Sequence, residues 1–275
     1  MSFLFEPLSY EFMQRGMIAA VLVGIVCAVV GTYVVLRGMA FFGDALAHTI
    51  LPGIALGYLV SGGARDVLFW WALGTAVVAA LGIGLISKNS EIKEDTSIGI
   101  VFAGMFALGV ALISTVRSYA VDLSHFLFGD VLSVSAQSLW LILIFGGIVL
   151  LIVFAFYKEF MTLSFDPILA ATLRLPVGML NNLLLALIAV TVAVSLQTVG
   201  VALMVAMLVT PAATAYLLTR RLSTMMGLAA VFASLSGIIG LYLSFYLSIA
   251  SGAAIVLTAT LFFALVFAWK KITGR

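Results

Sequence analysis

Charge is scarce in this chain. Its 13 Lys and Arg and 11 Asp and Glu make up 9% of 275 residues, against 64% hydrophobic residues and a mean hydropathy of +1.30. So little polar surface cannot cover a water-soluble core of this size, which places the chain among polytopic membrane proteins. Cysteine is nearly absent as well. The single Cys27 excludes an intrachain disulfide framework and reads as a small apolar filler within its span. A net charge of +2, with no basic run interleaved with aromatics, excludes a nucleic-acid footprint. No Gly-x-x-x-x-Gly-Lys-Ser/Thr loop is present, so the chain cannot hydrolyse a nucleotide by that machinery. His-Glu-x-x-His is missing, and no span holds a second carboxylate to share a proton with Asp44, which removes two designs of intramembrane protease. Two histidines and no Cys-x-x-Cys leave redox, haem and closed zinc sites unsupported. The N-terminus, with Glu6 and Glu11 before the first apolar run, lacks the basic flank of a secretory signal and is expected to be retained.

What is present is apolar and long. Unpaired backbone groups cannot face lipid, so a spanning chain must form helices or a closed barrel, and runs of about 20 apolar residues select helices. Nine windows qualify: 16–36, 39–60, 67–87, 97–117, 138–157, 179–198, 201–218, 223–247 and 251–269. The 201–218 window is short, and as a broken segment tucked into protein it would leave eight spans. The eleven methionines are scattered through these spans as packing residues. Nine spans put Arg37, Lys88, Lys93, Lys158, Arg174, Arg220, Arg221, Lys270, Lys271 and Arg275 on one side and only Arg15, Arg65 and Arg117 on the other. The positive-inside rule makes the first side cytoplasmic, with the N-terminus outside and the C-terminus inside.

Within this apolar background Asp44 and His48 stand out. A carboxylate inside hydrocarbon costs roughly 2.5–3.5 kcal/mol on insertion scales, so it normally lines a wet path or binds something. At spacing i, i+4 the two side chains leave the same helix face. A carboxylate oxygen with an imidazole nitrogen suits manganese, iron or zinc. The alternative is a structural pair, the carboxylate holding the histidine to join two helices. Gln197 and Thr198 are also intramembrane polar groups, either bonding helix to helix or lining a conduit. Gly53 and Gly57, beside Pro52, form a small-xxx-small step that predicts a close helix contact.

Two connections are longer than turns. In Lys158 to Gly178, on the cytoplasmic side by charge, Asp166 followed by Pro167 reads as a helix N-cap with proline at the first position, and Pro176 is expected to end the helix. This short helix with an apolar face either lies on lipid headgroups or docks a cytoplasmic partner. Ser118 to Gln137 carries Asp122, His125 and Asp130 around an apolar centre, which suggests a segment dipping back into the protein. Its Asp122 and His125 are either solvated and capping groups or cation ligands.

Several segments together carry a resemblance. Val35-Leu-Arg-Gly-Met-Ala-Phe-Phe-Gly-Asp-Ala-Leu-Ala-His-Thr-Ile-Leu-Pro-Gly53 is similar to the signature of the membrane subunits of ABC importers for manganese, zinc and iron. So are Glu94-Asp-Thr-Ser-Ile-Gly-Ile, Leu127-Phe-Gly-Asp-Val-Leu132 with the following Ser-Val-Ser, Phe165-Asp-Pro, and the stretch from Gln197 to Leu218. The match runs through nearly the whole chain in the family's order. It implies an all-α permease related to the type II ABC importer fold, a single transmembrane domain over 1–275 with a cytoplasmic coupling segment at 158–178. The partners implied are a second permease copy, either identical or a close paralogue, two ATPase subunits, and an extracytoplasmic metal-binding protein. The cargo implied is manganese, with zinc and iron open, and no permanently bound cofactor. Residue by residue, the resemblance assigns Asp44 and His48 to the metal path. The 166–176 helix, with Asp166, Pro167, Ala170 and Leu173, corresponds to the element that meets the ATPase. Arg174 departs from the family, which often has glycine before Leu-Pro. The Gln197–Leu218 stretch resembles the manganese branch more than the zinc branch. Two classes compete: importers of cobalamin or siderophores, against which a paired Asp/His argues, and a stand-alone secondary transporter, for which matching broken helices in inverted repeats are not evident.

Overall fold

The computed structural model describes residues 6–62, 64–90, 92–115 and 131–273, and every regular element among them is helical. After a 3₁₀ turn at Pro7–Ser9 the chain forms α1 (Glu11–Leu36), α2 (Phe42–Thr49), α3 (Leu51–Ser61), α4 (Arg65–Asn89) and α5 (Glu94–Ser114). A second 3₁₀ turn, Val131–Ser133, leads into α6 (Ala136–Ala155), α7 (Tyr157–Phe165), α8 (Pro167–Thr172), α9 (Val177–Val199), α10 (Val201–Leu218), α11 (Leu222–Leu247) and α12 (Ser251–Ile272). Nine helical stretches among the described residues are long and apolar enough to cross a membrane, the 18-residue Val201–Leu218 included. That stretch is separated from α9 only by Gly200, whose φ of 79° is open to glycine at no steric penalty.

The window expected at 39–60 is two helices rather than one. Pro52 has no N–H to return to the carbonyl of His48, so the ladder breaks at Ile50 and Pro52 starts the second helix near its N-terminus. The connecting segment 158–178 holds two helices, α7 and α8, parted at Asp166.

The chain divides into two compact units. The first comprises Met1–Val35, His125–Leu150 and Ser195–Arg275. Small residues set its packing, because apolar side chains gain little by leaving lipid and close backbone approach must supply the contact. A Cβ on Gly31 would overlap the Leu208 carbonyl, and one on Gly24 would sit 3.3 Å from the Ala233 Cβ. One on Gly240 would meet the Ile255 Cα at 2.5 Å. At the end of α12, Lys270 donates to the Leu217 carbonyl at 2.8 Å, placing a cation at the negative end of α10. Cys27 is buried with its Sγ 3.3 Å from the Ser195 Oγ.

The second unit comprises Leu36–Ser124 and Leu151–Val194. Here α3 packs on both α4 and α5. Gly53 lies so close to α4 that a Cβ would overlap Thr75 Oγ1 and the Trp71 carbonyl, and a Cβ on Gly57 would stand 3.1 Å from the ring of the same Trp71. The small-xxx-small step is the close contact expected. From α5, Gly109 approaches the break itself: a Cβ there would stand 2.7 Å from Leu51 Cβ and 3.1 Å from Pro52 N.

Candidate metal site

Asp44 lies in the first turn of α2 and His48 in its last, one turn apart on one face. The first turn is where the helix dipole favours a negative charge, which offsets part of the cost of placing Asp44 in an apolar span. Asp44 Oδ1 and His48 Nε2 stand 3.9 Å apart, too far for a hydrogen bond. Two ligand bonds of about 2.1 Å reach across at most about 4.2 Å, so a single ion fits between these atoms. The carboxylate is 39% exposed and the imidazole 27%, open enough to admit an ion from one side. The other imidazole nitrogen, Nδ1, is buried and has no hydrogen-bond partner among the described residues. No group of three or more His, Cys, Asp or Glu able to hold a metal occurs among the described residues. The described residues therefore offer two candidate ligands here.

The imidazole rests against α5. Its ring meets Phe106 edge-on, centroids 5.8 Å apart at 88°, and Phe102 at 6.0 Å and 62°. Phe102 and Phe106 stack on each other at 5.9 Å, and Phe41 meets Phe102 edge-on at 5.7 Å. These phenylalanines were not singled out in the sequence. An i, i+4 aromatic pair is visible there, but only the packing of α2 on α5 shows what it faces.

A second cluster also escaped sequence reasoning. Arg37, just beyond α1, pairs with Glu94 at the start of α5 at 3.0 Å, and the same Nη2 donates to Asn181 Oδ1 near the start of α9. Burial lowers the Arg37 guanidinium from its ordinary value, while the neighbouring Glu94 carboxylate acts in the opposite sense. Its Nη1 is buried with no partner among the described residues. Arg37 and Glu94 both fall inside the quoted signature segments, which was the available signal.

In the connecting segment, Asp166 Oδ1 accepts from the N–H groups of Ile168 at 3.0 Å and Leu169 at 2.9 Å, with Pro167 at the first helical position. The cap is as read from the sequence, but the end is not. Helix α8 stops at Thr172, four residues before Pro176. Arg174 takes the left-handed conformation at φ 58°. Its N–H donates to the Ala171 carbonyl at 3.0 Å and that of Leu175 to the Ala170 carbonyl at 3.1 Å, the bond pair of a Schellman ending. That conformation is why glycine suits position 174, and here arginine bears it. Ala170 is fully buried, so it packs α8 down and presents no surface, whereas Phe165, Ile168, Leu169 and Leu173 are exposed.

Gln197 is half-buried and Thr198 buried, and the Thr198 hydroxyl donates back to the Ser195 carbonyl of its own helix at 2.9 Å. Both belong to the first unit, Asp44 and His48 to the second. Asp122, His125 and Asp130 lie outside the described residues.

The family described as ABC 3 transport family matches residues 9–270. The chain belongs to that family. Over 275 residues, all of this chain and 93% of the relative, it is 47% identical to the manganese transport system membrane protein MntC of Halalkalibacterium halodurans. It is 38% identical over 271 residues, 98% of this chain and 90% of the relative, to the chelated iron transport system membrane protein YfeD of Yersinia pestis. Among solved structures it is similar to PsaBC from Streptococcus pneumoniae in complex with Fab, with a TM-score of 0.82, 37% identity and 99% of each chain covered. The ABC 3 match and this likeness agree with the all-helical permease fold expected from the spans.

Proposed function

We propose that this ABC 3 family chain acts as one permease domain that passes a divalent transition metal, manganese first, into the cytoplasm. ATP hydrolysis belongs to two partner ATPase subunits, and an extracytoplasmic metal-binding protein delivers the ion. The observation that carries the reading is the Asp44–His48 pair, set at single-ion spacing in the two-turn helix α2. The 47% relative named for manganese transport supports the choice of ion, and the 38% relative named for chelated iron makes iron the second candidate. Asp44 supplies charge and a hard oxygen, and His48 supplies a nitrogen. Two ligands from one chain are few for a transition metal. A second copy related by a two-fold axis would bring two more, which is why the working unit is proposed as a dimer in the cell membrane. The ten-to-three distribution of Lys and Arg supports a cytoplasmic C-terminus and an external N-terminus. The same orientation turns the exposed apolar side chains of Phe165, Ile168, Leu169 and Leu173 toward the ATPase.

The test is uptake of radioactive manganese by assembled complexes, with zinc and iron as competitors. Asp44→Asn keeps shape and hydrogen bonding but removes the charge, so uptake falls while expression and assembly persist. If Asp44→Asn transports normally, and Asp44→Ala with His48→Leu is tolerated, the pair is structural, since replacing a partly buried polar pair by apolar residues is often neutral.

A further inference from the structure

A histidine that binds a metal through one ring nitrogen usually donates the other ring N–H to a carboxylate, a carbonyl or water. That outer bond fixes the tautomer and turns the ring, and removing it typically weakens metal binding or activity 10- to 100-fold. No described residue makes such a bond to His48: its Nδ1 is buried and unpartnered among them, while Nε2 is the atom facing Asp44. Something else must hold the ring. The contacts present are the edge-on aromatic ones, Phe106 at 5.8 Å and Phe102 at 6.0 Å. The two phenylalanines are themselves stacked one turn apart on α5, and Phe41 closes on Phe102 from the α2 side. Helix α5 is anchored on either side of them. Glu94, two turns before Phe102, is tied to Arg37, and Gly109, just after Phe106, abuts Leu51 and Pro52 without room for a Cβ.

We propose that Phe102 and Phe106 are positioning residues for the metal path, an aromatic clamp that keeps His48 Nε2 turned toward Asp44 in place of the usual outer hydrogen bond. This inference rests on the reading of Asp44 and His48 as metal ligands. The clamp orients without polarising. An aromatic edge fixes the ring plane but draws no charge through the imidazole, so His48 holds the ion less tightly than a carboxylate-backed histidine does. A ligand that is aimed yet weak suits a cargo that must leave again.

The experiment uses permease assembled with its ATPase and binding-protein partners, and compares Phe102→Leu/Phe106→Leu with Phe102→Tyr/Phe106→Tyr. Leucine keeps the apolar volume and loses the ring edge; tyrosine keeps it. The leucine pair is expected to lower the maximal manganese uptake rate per assembled complex about 10-fold or more. Half-saturation should not move, because delivery by the binding protein is untouched. The tyrosine pair should stay within about two-fold of the parent. With the imidazole no longer aimed, the site is left mainly with oxygen, so zinc should compete less well against manganese, in the same direction as in His48→Gln. A merely structural role for the rings would not move that preference. Should the leucine pair fail to assemble, the single variants Phe102→Leu and Phe106→Leu are judged by the same criteria. The clamp is overturned if assembled leucine variants transport at the parental rate, if zinc competition is unchanged, or if the tyrosine pair fails as badly as the leucine pair. Asp44→Asn, measured in parallel, separates the two levels: normal uptake there removes the metal pair itself, whereas lost uptake beside a normal leucine pair removes the clamp alone.

Discussion

Replacing Arg37 by methionine tests whether the Arg37–Glu94–Asn181 cluster holds the second unit together. The Arg37 and Glu94 side chains are 13% and 21% exposed, so this is not a surface pair worth at most about 1 kcal/mol. Removing one partner of a buried pair costs about 3–5 kcal/mol, because the other charge is stranded. Here the stranded group is Glu94, in the first turn of α5, where the helix dipole returns roughly 0.3–1 kcal/mol and some solvent remains. The expected loss is therefore about 2–3 kcal/mol, roughly 30- to 150-fold in the folded-to-unfolded ratio. On the soluble-protein scale that lowers a melting temperature by about 4–12 °C. Glu94→Gln should lose a similar amount, since the half-buried Arg37 is then left without its carboxylate counter-charge and its Nη1 already lacks a partner among the described residues. The double variant should recover part of the loss, as coupled neighbours are not additive. The assay is thermal unfolding of the purified permease in detergent. Single variants that each melt within about 2 °C of the parent, or a double variant that loses the full sum, would refute the reasoning.

The remaining predictions concern the connecting segment and the orientation. Ile168→Glu with Leu173→Glu places charge on the exposed apolar face of α8 and should abolish co-purification with the ATPase while leaving the permease folded; retained assembly with full transport means this face is not the dock. Asp166→Ala, which strands two N–H groups, should cost about 0.5–2 kcal/mol locally and weaken the same co-purification only in part. A cysteine at Lys88 or Lys158 should be shielded from an impermeant thiol reagent in intact cells, and one at Arg65 should react; the reverse pattern overturns the orientation.

What could be read from the residues alone was what local chemistry controls. Apolar runs of about 20 residues marked the spans, and Asp166 before Pro167 marked a cap, because a cap is made within three residues of itself. The Asp44–His48 juxtaposition was legible for the same reason, as one helical turn fixes it. The end of α8 was misplaced because the stop is a backbone state, borne by an arginine that does not advertise it, rather than the proline beyond. Ala170 was read on the docking face because the direction in which a short helix packs depends on neighbours outside it. Phe102, Phe106 and the Arg37–Glu94–Asn181 contacts come from the turn after α1 and from α2, α5 and α9, which the order of the sequence does not place side by side.

Helix α2 is only eight residues, about 12 Å of rigid rod. It follows the left-handed turn at Gly38, φ 70°, and ends where Pro52 interrupts the ladder at Ile50. Asp44 and His48 lie between these two points. A pivot at either end would carry the carboxylate and the imidazole as one body and leave their 3.9 Å separation unchanged. On the proposed reading, grip is set within α2 and access at its ends, so a substitution at Gly38 is expected to change access to the ion and not the separation of the two groups.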